Sequence, residues 1–307
     1  MKPSPIVLFI YNRLTLTQQT VEALKKNELA EQSDLVIYSD GPKGPQDQAK
    51  VDDVRKYIHS IDGFNSVKII EWPVSKGLAD SIIAGVTEVV NKYGRIIVLE
   101  DDLLTSPFFL RFMNDALEFY EYQEKAISIH GYTYPVQKKL PETFFICGAD
   151  CWGWATWKRG WDLFEKDGKK LLEELKQKKL TKQFDFNGAY RFTRMLKQQI
   201  AGKNDSWAIR WHASAFLQER LTLYPGCSLI RHVGKEGEGT HFGNSDALDV
   251  ELTQQPIPVE QIDIIENSEA RRIVENYLRS VKTSFASAIL NYSKNTFMNI
   301  VKGSQQW

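Results

Sequence analysis

The chain has 307 residues, 42% of them apolar and 25% charged, with 39 basic and 39 acidic side chains that cancel to zero. That length supplies ample core for one large domain or two coupled ones. The charge balance excludes the overall basic field of a nucleic-acid binder, and no apolar run approaches a membrane span.

Met1-Lys2-Pro3-Ser4-Pro5 leads into Ile6-Val7-Leu8-Phe9-Ile10, an apolar run of strand length that is too short for a secretory signal, so a cytoplasmic location is expected. Residues 15–26 carry apolar side chains at helical spacing. Leu35 to Tyr38 is the next strand and closes in Ser39-Asp40-Gly41-Pro42, where Gly-Pro marks a loop. A helical pattern from Gln46 to Ser60, a strand from Val67 to Ile70 and an amphipathic helix from Leu78 to Lys92 follow, and Arg95 then opens a fourth strand. This alternation predicts an α/β fold: a mostly parallel sheet, wound right-handed, with helices on both faces.

Such sheets bind ligands beyond the carboxyl ends of their strands. Tyr11, Asn12 and Arg13 stand after the first strand, Asp40 after the second, Lys76 and Gly77 after the third, and Glu100-Asp101-Asp102 after the fourth. The four ends read as one composite site. Three adjacent carboxylates repel one another unless a cation is present, and oxygen ligands suit Mg2+ or Mn2+ with open positions for a diphosphate. Alternation along an extended chain predicts Glu100 and Asp102 on one side and Asp101 on the other. A solvated acidic turn is the structural alternative. Neither a Gly-x-Gly-x-x-Gly fingerprint nor a Walker loop is present, so phosphate would be held by metal and side chains.

Beyond the triplet, a helix is expected from Pro107 to Tyr122 and a strand from Ile127 to His130, with His130 structural or lining a site. Trp154, Trp157 and Trp161 repeat at helical spacing, which predicts one helical face packed in the core. Gly153 would permit close approach of a ligand, and sugar faces stack on Trp. Residues 167–182 are dense in Lys and Glu, as in a solvated helix or lid with little core content. Asp205 precedes a helical stretch from Ala208 to Leu217, as an N-terminal cap or as a functional carboxylate. Tyr224-Pro225 and Leu229-Ile230 are short extended pieces, and Gly237-Glu238-Gly239-Thr240-His241 is a flexible loop able to close over a ligand. Cys147, Cys151 and Cys227 fit reduced thiols, with no nearby His to complete a zinc set for the first two.

The ordered set of Asp40, Glu100-Asp101-Asp102-Leu103, Trp152-Gly153-Trp154, Asp205-Ser206-Trp207 and Gly239-Thr240-His241 resembles the glycosyltransferase A (GT-A) fold. Within it, the chain is similar to bacterial relatives of N-acetylglucosaminyltransferase I from about Ile6 to His241. The resemblance implies a metal-dependent, inverting transfer from a nucleotide sugar, foremost a UDP-sugar such as UDP-N-acetylglucosamine, to a glycan or lipid-linked acceptor. Arg13 and Asp40 would contact the uracil and ribose, with Asp101 near the ribose or sugar and Glu100 near the donor sugar. Asp102, last of a DXD-like motif, would coordinate Mn2+ or Mg2+ with His241 close by, and Asp205 would be the general base. Lys76, Gly77 and Asp80 match the donor-binding segment. A base and a cation meet the two needs of inverting transfer. A glycoside hydrolase, which also pairs carboxylates, and a non-catalytic nucleotide-sugar or carbohydrate binder are the competing classes.

Residues 1–250 would form the catalytic domain and 251–307 a linker and helical extension. Gln255-Pro256-Ile257-Pro258 separates the two, and Ser268 caps a new helical pattern. From Asn276 onward there are Arg279, Lys282, Lys294 and Lys302 without an acidic residue, interleaved with apolar side chains. Such an end either lies on an anionic membrane surface, here the inner face of the cell membrane, or packs on the catalytic domain or a second subunit.

Overall fold

The computed structural model describes residues 2–234 and 245–281. β1 (Ile6–Ile10), α1 (Leu14–Lys25), β2 (Asp34–Ser39), α2 (Pro45–Ile58), β3 (Ser66–Glu71), α3 (Leu78–Tyr93) and β4 (Arg95–Glu100) alternate as the periodicity predicts. They are followed by β5 (Leu103–Thr105), α4 (Phe109–Phe119), β6 (Ala126–His130), β7 (Thr143–Cys147), β8 (Trp154–Trp157), α5 (Lys158–Trp161) and α6 (Gly168–Gln177). The chain continues through α7 (Thr181–Phe184), α8 (Phe192–Ile200), α9 (Trp207–Leu217), β9 (Leu221–Pro225) and β10 (Ile230–His232) to α10 at residues 268–281.

The fold is α/β. Eight strands form one sheet in the order β3-β2-β1-β4-β8-β6-β9-β7. Its first half is parallel, β1 pairing with both β2 and β4, and β2 with β3. The second half is mixed, with β8 antiparallel to β4 and β6, β9 parallel to β6, and β7 antiparallel to β9. Every residue of β1 is buried because both faces are covered. Ile6, Leu8 and Ile10 pack with Val21 and Leu24 of α1 and Val54 of α2; Val7 and Phe9 face Ile82, Val86 and Val90 of α3. Each such side chain is worth about 1.5–3 kcal/mol on burial.

Two elements differ from the sequence expectation. Trp154 and Trp157 belong to a strand, so their spacing of three sends them to opposite faces. Trp154 packs with Trp161, Trp207 and Trp211, while Trp157 joins the α1–α4 side and donates its indole N–H to the Leu117 carbonyl at 3.0 Å. Residues 167–182 are not a lid without core. Asp167 caps α6, and Leu171 and Leu175 are buried with Leu196, Ile209 and Phe216 of α8 and α9. α10, whose last residues open the basic C-terminal segment, packs on the expected catalytic domain, where Ala270, Ile273, Val274 and Leu278 meet Phe144, Ile146 and Phe186. Asn267 N–H also donates to the Phe145 carbonyl at 2.8 Å. Residues 282–307, including Lys282, Lys294 and Lys302, lie outside the described residues. Among the described residues, no helix is long and apolar enough to cross a membrane.

Candidate functional site

The carboxylate cluster sits where β4 stops. The strand ends at Glu100 and the chain turns at Asp101 and Asp102 before β5, so the strict alternation expected for an extended segment does not hold. Asp101 and Asp102 instead converge on Arg13, which follows the neighbouring strand β1. One Arg13 nitrogen forms an ion pair with Asp101, and Nη1 lies 2.9 Å from Asp102 Oδ2. The cation that this cluster requires is therefore supplied, at these two carboxylates, by the chain's own guanidinium.

A second partner reaches Asp102 from far along the sequence. β5 pairs antiparallel with β10, setting His232 opposite Leu103, and Val233 N–H donates to the Asp102 carbonyl at 2.9 Å. This pairing brings His232 Nε2 to 3.4 Å from Asp102 Oδ2. The ring is stacked on Trp152 at a centroid distance of 4.8 Å, so its plane is fixed. Sequence reading missed His232, although Ile230-Arg231-His232 directly continues the extended piece found at Leu229-Ile230.

The environment sets the three carboxyls apart. Burial, then the charges of Asp102 and Asp101, raise half-buried Glu100 to about 8. Burial raises Asp101 as well, against the pull of Arg13. Burial also opposes ionisation of Asp102, but the His232 hydrogen bond and the Arg13 charge outweigh it and hold that carboxyl below its usual range. Desolvation likewise opposes the charge on Arg13, yet the two aspartates raise its pKa. The result is an ionised Asp102 beside a neutral-prone Glu100.

Asp40 is hydrogen-bonded within the chain. Its carboxylate accepts from Ser75 Oγ at 2.7 Å and from the N–H groups of Gly41, Lys76 and Gly77 at 3.0, 2.7 and 3.1 Å. Asp40 thus ties the end of β2 to the loop that starts α3. Lys76 points its ammonium over the Trp72 ring, 3.2 Å from the centroid. Gly77 has φ of +79°, a conformation that favours glycine, and a Cβ there would lie 3.6 Å from Asp205 Oδ2.

That proximity places Asp205 at the head of α3 as well as that of α9. The cap of α9 is not Asp205 but Ser206, whose Oγ accepts from Ile209 N–H at 3.2 Å. The Asp205 side chain is consequently spared the capping role. A cavity of about 510 Å3 joins these parts, lined by Tyr11, Arg13, Asp40, Glu100, Asp102, His232 and Asp205 among others. It extends inward between Tyr134, Phe186, Tyr190 and Tyr224, with Asp150 and His212 in its wall. Its size is that of a small-molecule site.

His241 lies outside the described residues. His130 is fully buried and its Nε2 accepts from Trp152 N–H at 3.1 Å, a structural role that positions the Trp152 backbone. Gly153 admits protein and not ligand, since a Cβ there would meet Ile230 at 2.5 Å. Cys147, Cys151 and Cys227 are free thiols. Among the described residues, no group of three or more His, Cys, Asp or Glu side chains is placed to hold a metal ion. Asp102 and His232 nevertheless form a two-residue donor set, which suits a divalent ion that takes its remaining ligands from phosphate oxygens and water.

No protein-family model matches the chain, and no curated protein matches it. Solved structures match parts of it. One is a mannosyltransferase from Pyrobaculum calidifontis in complex with GDP-Man and Mn2+, at 12% identity and a TM-score of 0.34 over 44% of this chain and 37% of that one. S. aureus TarS matches at 12% identity and a TM-score of 0.32 over 48% of this chain and 25% of that one. A cytidylyltransferase from Leptospira borgpetersenii matches at 13% identity and a TM-score of 0.31 over 52% of this chain and 61% of that one. The chain spans less than two thirds of the length of each of these three proteins.

Proposed function

We propose that the chain is a glycosyltransferase of the GT-A type that moves a sugar from a nucleotide-activated donor, a UDP-sugar foremost, to a hydroxyl of a glycan or lipid-linked acceptor. The observation that carries this reading is the cavity at the ends of the parallel strands, in which Arg13, Asp101, Asp102 and His232 form one charged cluster while Asp205 stands in the same wall. Asp102 and His232 would hold Mn2+ or Mg2+, His232 taking the place first given to His241. A bound ion would neutralise the departing nucleoside diphosphate. Arg13 adds fixed positive charge beside it and keeps Asp101 oriented. Asp205 is the base for an inverting transfer, accepting the proton of the acceptor hydroxyl. Asp40 contributes by fixing the loop that carries Lys76 and Gly77, and Glu100 lies toward the donor sugar.

A second reading keeps the donor and omits the ion, because Arg13 already neutralises the aspartates that would bind one. Calorimetric titration with UDP, in Mn2+ and then in excess chelator, separates the two. Binding that needs Mn2+ and disappears in Asp102→Ala supports the metal-dependent enzyme, and binding that persists in chelator supports the second reading. Asp205→Ala should bind UDP as the parent does and lose transfer by about 100-fold or more. Transfer at the parental rate would remove Asp205 from its role, and absence of UDP binding in both conditions would sink the UDP-sugar reading.

A further inference from the structure

We infer that the inner, aromatic half of the cavity is a pocket for a polyhydroxylated ring, a pyranose of the acceptor, read by His212 and Asp150. This deepens the glycosyltransferase reading and rests on it.

His212 is 7% exposed and lines the cavity. Its Nδ1 lies 2.8 Å from the Ala149 carbonyl and 3.3 Å from the Ala149 N–H, and the shorter contact is that of a ring N–H donating to the carbonyl. Its Nε2 has no hydrogen-bond partner among the described residues, leaving a buried acceptor lone pair. The ring cannot turn to find one. It is held among Phe184, Phe192 and Phe216 at centroid distances of 5.1, 4.6 and 6.3 Å, and a Cβ on Gly148 would stand 2.4 Å from its Cε1. Burial lowers its pKa to about 4, so the imidazole stays neutral and accepting at neutral pH.

Asp150 is the second acceptor. Its Oδ1 takes the Cys151 N–H at 2.9 Å, while among the described residues Oδ2 receives the Tyr224 hydroxyl alone, at 3.5 Å, the limit of a hydrogen bond. A carboxylate with that occupancy has lone pairs to offer. Around these two groups the walls are aromatic: Tyr134, Tyr190, Phe186 and Phe192. An alkyl chain would seal Asp150 and His212 away from water without partners, a costly match. A sugar ring lays its C–H face on the aromatic rings and gives its hydroxyl protons to the two acceptors.

The test uses the full chain, saturation-transfer NMR and three probes: methyl β-D-glucopyranoside, methyl α-D-mannopyranoside and methyl N-acetyl-β-D-glucosaminide. At least one should bind, and His212→Phe, which matches its phenylalanine cage, should weaken it about tenfold or more. Asp150→Asn, which keeps shape and volume, should weaken it as well and serves should the first variant fail to fold. UDP titration of both variants should match the parent. Lack of binding by all three glycosides, unchanged affinity in a folded variant, or displacement of the glycoside by 1-octanol overturns the pocket. Glycoside binding in a protein that takes no UDP would leave the pocket standing and remove the donor reading, so the two failures are distinguishable.

Discussion

Arg13 is the residue on which the charged end of the sheet depends. Its side chain is 21% exposed and faces two aspartates that are 4% and 10% exposed, so removing it leaves two buried carboxylates without their cation. Breaking a buried pair in this way costs roughly 3–5 kcal/mol. Arg13→Ala should therefore lose that much stability in urea denaturation without metal, and Mn2+ should raise its melting temperature by more than that of the parent. A loss below about 1 kcal/mol, the range of a surface pair, would show that the bridge is not organised as described. The sequence made the triplet legible because a β-branched strand running into three acids is a local signal. It hid Arg13's double contact, because the turn at Asp101 breaks the alternation that the strand suggests. It hid His232 too, because only the pairing of β10 with β5, more than a hundred residues apart, brings that ring to Asp102.

At the level of elements, α1 to α3 and β1 to β4 were legible since each shows its period within its own residues. β7 and β8 were not. Thr143–Cys147, between Pro141 and Gly148, is too short a run for its period to tell a strand from a buried helix turn, and the tryptophans of β8 happen to fall at helical spacing while lying in a strand. Charge density misled in α6, where two leucines on one face outweigh the many Lys and Glu side chains on the other. Leu175 is fully buried there against α8 and α9. Leu175→Ala should thus destabilise the protein by about 2–5 kcal/mol, the range for a leucine core truncation, in a single cooperative unfolding transition. A free lid would give a different result: unchanged global stability, with faster amide exchange confined to residues 168–177.

The two halves of the cavity impose opposite pH dependences on the whole molecule. His212 titrates near 4 in the folded protein and near its ordinary 6.5 when unfolded. Between those values the unfolded chain binds more protons, so stability is lost as pH falls, by up to about 3 kcal/mol for a shift of this size. Buried His130 is shifted in the same direction and adds to the loss. Glu100 works the other way: folded it titrates near 8, unfolded near 4.5. Across that window the folded chain holds the extra proton, so Glu100 favours folding at low pH and this contribution is lost as pH rises. Stability without metal should accordingly peak in the weakly acidic range and fall on both sides. Urea midpoints measured from about pH 4 to 9 check this. His212→Phe should flatten the acid limb alone, and Glu100→Gln the alkaline limb alone. A cation bound at Asp102 should also flatten the alkaline limb, because its charge favours ionised Glu100, and its binding should release protons that calorimetry in buffers of different ionisation enthalpy detects. An acid limb unchanged in His212→Phe would mean that the inner half of the cavity is not where the molecule becomes acid-labile.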